Sequence, residues 1–183
     1  MKPIRIKPFA ALPLIVGFTL TGAALMGAAP LAAQALAQGA VEMKKFGDWI
    51  VHQNSGEGPK ICFAATLPKT KEPATANRAK IVFYVSAWPK EGVKSEISIK
   101  LGYRIKADAP IAVTVGDDEF QLFAQDDRAY VADATQELKM IESMKKASKL
   151  VVKATSTRGT QTVDTYSLQG LGQALQAIAT ACP

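Results

Sequence analysis

The chain has 183 residues, of which 48% are apolar, 22 are Lys or Arg and 16 are Asp or Glu. That balance fits one globular domain with a real core and excludes a disordered chain. The net charge of +6 is unevenly spread, because the first forty residues hold basic side chains and no acidic ones. Lys2, Arg5 and Lys7 form a basic head, and residues 9–29 carry no charge. Pro30 ends the apolar run, and Ala35-Leu36-Ala37 sets small side chains at the two positions a signal peptidase must admit. The order basic, apolar, small predicts a secretory signal over residues 1–37, cleaved after Ala37, with Ala35 as the second choice. An uncleaved anchor competes with this reading, since about 20 apolar residues span a bilayer. Pro13, Gly17, Gly22 and Gly27 weaken such a span. No Cys lies near the cleavage point to accept a lipid. The mature domain then covers 38–183 and keeps a net charge of +3, because the leader removes three basic residues. That is too mild to indicate nucleic-acid binding.

Residues 47–53 (GDWIVHQ) and 60–67 (KICFAATL) read as strands about a loop rich in turn residues. Residues 69–80 are polar, contain Pro73 and read as a long exposed connection. Residues 80–88 (KIVFYVSAW) are apolar on both faces, as in a strand covered on both sides. In 96–103 (EISIKLGY), Ile97, Ile99, Leu101 and Tyr103 alternate with polar positions, the period of a half-buried strand. Short strands follow at 111–115, 119–124 and 128–131, separated by turns at 116–118 and 125–127. Asp133 begins a helix whose apolar face is Leu138, Ile141 and Met144, with Gln136 placed for a capping box. Residues 149–156 and 161–166 form a hairpin about Arg158-Gly159-Thr160. Ser167 caps a closing helix bearing Leu168, Leu171, Leu175 and Ile178. Turn signals at this spacing predict a mainly β fold, an antiparallel β-sandwich with two short α-helices, one inserted late and one C-terminal.

Two cysteines, Cys62 and Cys182, lie 120 residues apart. In an oxidising compartment they pair; two free thiols are the alternative. In the chain-entropy picture a loop of this length stabilises by about 4–5 kcal/mol.

The search for chemistry is mostly negative. His52 is the one histidine, it sits in an alternating strand, and no Gly-x-Ser-x-Gly turn accompanies it. One His and two oxidised cysteines are too few ligands for zinc, and no phosphate-binding glycine pattern occurs. Neither a catalytic group, a cofactor nor a metal is therefore expected. Carboxylates cluster at Asp117-Asp118-Glu119 and at Asp126-Asp127, the pattern of an acid/base pair or a calcium site. Both clusters fall where the chain turns, which alone accounts for Asp there. Trp49, Trp88, Tyr84 and Tyr103 are candidates for stacking on a sugar, although strand aromatics commonly serve the core. Lys139, Lys145, Lys146, Lys149 and Lys153 are close in sequence and form a candidate interaction surface for an anionic partner; a solvated helix face explains them equally.

Phe46-Gly47-Asp48-Trp49, then Cys62, then residues 94–103 (KSEISIKLGY), Arg158-Gly159-Thr160, residues 164–170 (DTYSLQG), Ala174-Leu175 and Cys182 follow one another over almost the whole mature chain. Their order and spacing resemble the invasion-associated locus B family of Gram-negative bacteria. The resemblance implies a small periplasmic or secreted β-rich protein without catalytic residues. It also implies a link to host-cell invasion for the members that named the family. The expected role is partner binding at the envelope or a host surface. The alternatives are a periplasmic sugar-binding module and, third, a hydrolase using the two carboxylate clusters.

Overall fold

The computed structural model describes residues 39–54, 56 and 58–183. The leader expected over 1–37 and its cleavage point lie outside them. β1 (Ala40–Phe46), β2 (Trp49–Asn54) and β3 (Cys62–Thr66) form a meander. β4 (Thr70–Glu72), β5 (Val82–Trp88), β6 (Val93–Lys100), β7 (Ile111–Val115), β8 (Asp118–Gln125) and β9 (Arg128–Val131) follow. Then come α1 (Ala134–Lys146), β10 (Lys149–Thr155), β11 (Gln161–Ser167) and α2 (Leu171–Ala181).

The described strands make one antiparallel ladder in the order β1-β2-β3-β5-β6-β9-β8-β7-β10-β11-β4. Alternation sets its two faces. Trp49, Val51, Cys62, Ala64, Phe83, Val85, Ile97 and Ile99 point inward, while His52, Phe63, Tyr84 and Ser98 take the intervening outward positions. The ladder folds over so that strands far apart in it face each other. Phe83 on β5 meets Tyr166 on β11 with ring centroids 5.5 Å apart, and Trp49 on β2 meets Phe83 edge-on at 5.8 Å. The mainly β, sandwich-like fold with two helices read from the sequence is thus present, built from a single sheet bent over on itself.

The helices complete the core between these faces. α1 buries Met140, Ile141 and Met144 against β6–β9. α2 buries Leu171, Ala174 and Ile178 against β2, β3 and β5. Cys62 on β3 and Cys182 at the end of α2 form the expected disulfide. Among the described residues no helix is long and apolar enough to cross a membrane.

The structure departs from the sequence expectations at four places. β1 carries no alternating apolar signal, is exposed from Ala40 to Lys45 with only Phe46 partly buried, and pairs with β2 through a bulge between Glu42 and Lys44. Leu138 is 60% exposed and Met140 is buried instead, while Ile141 and Met144 are buried as expected. Gly170, not Ser167, caps α2. Ser167 Oγ instead accepts from the Gln169 amide and shapes the preceding turn. Finally, the 69–80 connection is anchored at both ends. β4 pairs with β11, and the Arg78 side chain is 2% exposed.

Arg78 explains how a polar loop can be held in the core. Its two terminal nitrogens donate to the two oxygens of Asp164, each at 2.6 Å. Nε and Nη2 also donate to the Leu101 carbonyl at 3.0 and 2.8 Å. The Arg78 guanidinium lies 5.0 Å from the Tyr103 ring, and Tyr103 Oη shares a 2.6 Å hydrogen bond with Thr162 Oγ1. A buried charge pair needs this completeness, because each ion left without partners is strongly destabilising.

Candidate binding face

The outward positions of β2, β3, β5, β9 and β8 carry aromatic rings, with Ser98 of β6 between Tyr84 and Tyr130. His52 faces Phe63, Tyr84 faces Ser98, Ser98 faces Tyr130, and Tyr130 faces Phe123. The rings touch in two groups, His52-Phe63-Tyr84 and Tyr130-Phe123. His52 stacks on Phe63 at 5.0 Å, Phe63 meets Tyr84 edge-on at 5.9 Å, and Tyr130 stacks on Phe123 at 5.7 Å. Such cross-strand aromatic pairs stabilise a sheet face by a few tenths to about 1 kcal/mol each. Phe123 nonetheless stays 47% exposed and Leu67 56%. The strip is therefore partly packed and partly open to solvent.

Two hollows flank the strip. One, of about 570 Å³, is floored by Ile50, His52, Phe63, Val82 and Tyr84 and edged by the loop after β3. Lys45, Lys69 and Lys80 stand around it with Asp48 as the acidic member. Lys69 is ion-paired to Asp48 and holds the Asp48 carboxyl below its usual range. Lys45 and Lys80 have no ion-pair partner among the described residues, so the rim has a cationic excess. Burial lowers the His52 pKa, with Lys80 acting in the same direction and Glu42 opposing. The imidazole is thus neutral near pH 7 and presents a flat apolar surface against Phe63. The second hollow, about 460 Å³, lies between Phe63, Tyr84, Trp88 and Tyr130. The Arg128 guanidinium sits over the Tyr84 ring at 5.3 Å there.

The residues singled out in the sequence divide. Tyr84 and Trp88 belong to this face. Trp49 is wholly buried and its Nε1 donates to the Ser167 carbonyl at 3.1 Å. Tyr103 packs under Arg78. The two carboxylate clusters occupy hairpin turns at opposite ends of β8, which puts about 24 Å of strand between them. Acid/base pairs in glycosidases stand within about 10 Å, so these clusters form no joint site. Asp118 instead accepts from Ser143 Oγ at 2.6 Å, while Asp126 and Asp127 face Arg104 and Lys100. All five candidate lysines are exposed. Lys149 and Lys153 share the outward side of β10, but Lys139 lies in a depression with Asp118, Glu119 and Glu142, and Lys145 is paired to Glu142. Carboxylates therefore dilute the helical part of that surface.

Sequence reading missed the outward strip, although its signal was available. His52, Phe63, Tyr84 and Tyr130 each stand one position from an inward core residue, which fixes their face once the register is known. The segments behind the family resemblance have a structural use. The Asp48 amide donates to the Gln169 carbonyl at 3.0 Å, and the Phe46 carbonyl lies against Gly170, joining the first hairpin to the start of α2.

A family model described as invasion associated locus B (IalB) protein matches residues 49–179. Among solved structures, the chain is similar to the crystal structure of invasion associated protein B from Bartonella henselae, with a TM-score of 0.52 and 16% identity, over 75% of this chain and 95% of that one. At that identity the likeness is one of fold. No curated protein matches the chain.

Proposed function

This chain belongs to the invasion associated locus B family, and from that premise we propose that it is an exported, non-enzymatic envelope protein that holds a protein partner on its outward aromatic face. The single observation that carries the reading is the strip His52-Phe63-Tyr84 beside a hollow with excess lysine charge. Half-exposed rings give apolar contact at low entropic cost, and uncommitted cations select an acidic partner. The partner is an extended segment carrying apolar and acidic side chains on an envelope or host-surface protein. β1, one of the two edge strands among those described, borders the same hollow through Ala40 and Lys45 and offers backbone groups for such a segment. The paired cysteines and the basic-apolar-small leader support export to the periplasm, with release or attachment at the outer surface as a further step. The name of the Bartonella relative supports a part in host-cell invasion; an envelope-integrity role rests on the same face.

Two measurements test this. N-terminal sequencing of the protein released by osmotic shock should begin at Gln38; native protein found in the cytosol and beginning at Met1 would end the export reading. A deletion strain should show weaker host-cell invasion or an envelope-stress response, restored by the wild-type chain. It should not be restored by a Lys80→Glu/Tyr84→Glu variant that accumulates to the same level with its disulfide formed. Full restoration by that variant removes the aromatic face from the function.

A further inference from the structure

A separate hollow of about 390 Å³ lies between the 73–79 connection, the turn after β6 and the β10–β11 turn. Its walls are fixed by backbone hydrogen bonds. Ala79 N–H donates to the Gly102 carbonyl at 2.9 Å, Thr157 N–H to the Arg104 carbonyl at 3.0 Å, and Ser156 N–H to the Thr160 carbonyl at 2.9 Å. A Cβ on Gly102 would stand 2.5 Å from the Ala79 oxygen, so glycine is what lets the two walls meet. The deepest lining groups are the Arg78 side chain and Thr162, both about 2% exposed and already hydrogen-bonded to each other's neighbours Asp164 and Tyr103. This floor is preorganised and electrically neutral.

The rim differs. The charged side chains lining the hollow are Arg78, Arg104 and Arg158, with no carboxylate among the lining residues. Arg78 is neutralised by Asp164. Arg158 is exposed in its turn and has no ion-pair partner among the described residues. Arg104 faces Asp126 at 3.6 Å with both side chains about three-quarters exposed, a pair too loose and solvated to hold the guanidinium. The hollow is also lined by Thr75, Asn77, Thr157 and Thr160, whose side chains bear hydroxyl and amide groups.

We infer that this hollow, bounded by Arg104 and Arg158, binds a small polyhydroxylated anion, a sugar acid or a sugar phosphate. Guanidinium groups recognise carboxylate and phosphate oxygens with paired hydrogen bonds, and a ring of hydroxyls and amides matches a ligand rich in OH groups. The volume falls at the small end of ligand sites, which fits a monosaccharide and leaves out longer chains. Sugar recognition is thereby placed in a polar cleft away from the aromatic face, and it stands or falls independently of the partner-binding role. It also gives the Arg158-Gly159-Thr160 turn a use. Gly159 has φ +84° with open space on its Cβ side, so it serves the turn conformation that sets Arg158 and Thr160 on either side of the cleft.

Calorimetric and amide-shift titrations of the mature, oxidised chain test the inference. The probes are glucuronate, galacturonate, glucose 6-phosphate, glucose, acetate and inorganic phosphate. Saturable one-to-one binding is expected for the uronates or for the sugar phosphate, and which of them binds identifies the oxyanion. Glucose and the simple anions should bind at least about tenfold more weakly. Shifts should centre on residues 102–104 and 156–160. Arg158→Ala should weaken binding about tenfold, with Arg158→Lys in between, because a point charge replaces the fork. Arg158 is exposed, so the variant should melt with the parent. The inference is overturned if no anionic sugar saturates, if acetate or phosphate binds as tightly as the sugars, or if Arg158→Ala and Arg104→Ala both leave affinity unchanged.

Discussion

Arg78 and Asp164 show how a single pair of side chains ties a surface loop to a sheet. Their charges are almost wholly out of water, and every guanidinium nitrogen and both carboxylate oxygens have a partner. Such a pair adds little over an apolar replacement of the same shape, yet removing one member strands the other. Arg78→Ala or Asp164→Ala should each lower unfolding stability by about 3–5 kcal/mol in urea titrations, whereas Arg78→Met with Asp164→Leu should lose much less. A double-variant loss equal to the sum of the single losses would show that the pair is not coupled. Half of this was legible in the sequence. Asp164 alternates with Thr162 and Tyr166 in a strand whose partner strand buries Leu150, Val152 and Ala154, so an inward carboxylate demanded a counter-charge. Nothing local named Arg78. It lies 86 residues upstream in a polar segment without periodicity, and only the folded sheet brings the two together.

At the scale of elements, strands were read well wherever one face is buried, because the period of two records burial directly. β1 escaped because both of its faces are exposed and no alternation survives. The first helix was placed correctly from Asp133, whose Oδ1 accepts from the Thr135 and Gln136 amides at 2.9 Å. Ile141 and Met144 are buried as the periodicity predicts, but Met140 replaces Leu138 on that face, since both are apolar and the choice between them is made by the sheet beneath. The α2 cap was misassigned for a similar reason. Ser167 is a good cap by residue type, but the helix must begin where the first hairpin presses on it. A Cβ on Gly170 would come 2.1 Å from the Phe46 carbonyl oxygen, and φ there is +91°. Gly170→Ala should therefore lower stability by about 3 kcal/mol, combining left-handed strain with displacement of the hairpin. Gly159→Ala, with φ +84° but open space, should cost about 1 kcal/mol. Thermal unfolding of the two variants, side by side, checks the difference; equal losses would mean that the hairpin yields freely.

For the whole molecule, the disulfide joins the third strand to the end of the last helix across 120 residues. The paired cysteines were legible from their number alone, whereas the single bent sheet was not, since neither alternation nor turn spacing says which strands become neighbours. Replacing both Cys62 and Cys182 with Ser should lower stability by about 4 kcal/mol in the chain-entropy picture, read as an earlier urea midpoint with a somewhat steeper slope, because the unlinked unfolded chain exposes more surface. An unchanged midpoint would mean that α2 is held by packing alone.

The placement of β4 has a temporal consequence. Thr70–Glu72 lies early in the chain but joins the ladder outside β11, opposite residues 163–165. That edge has nowhere to dock until the late hairpin exists, so a segment made early must wait for one made late. Closing so long a stretch of chain is entropically slow, as in other all-β domains. While it waits, Asp164 has no guanidinium to answer it, and the interior cannot become dry. The early segment can therefore complete its pairing only once residues 161–167 are in place.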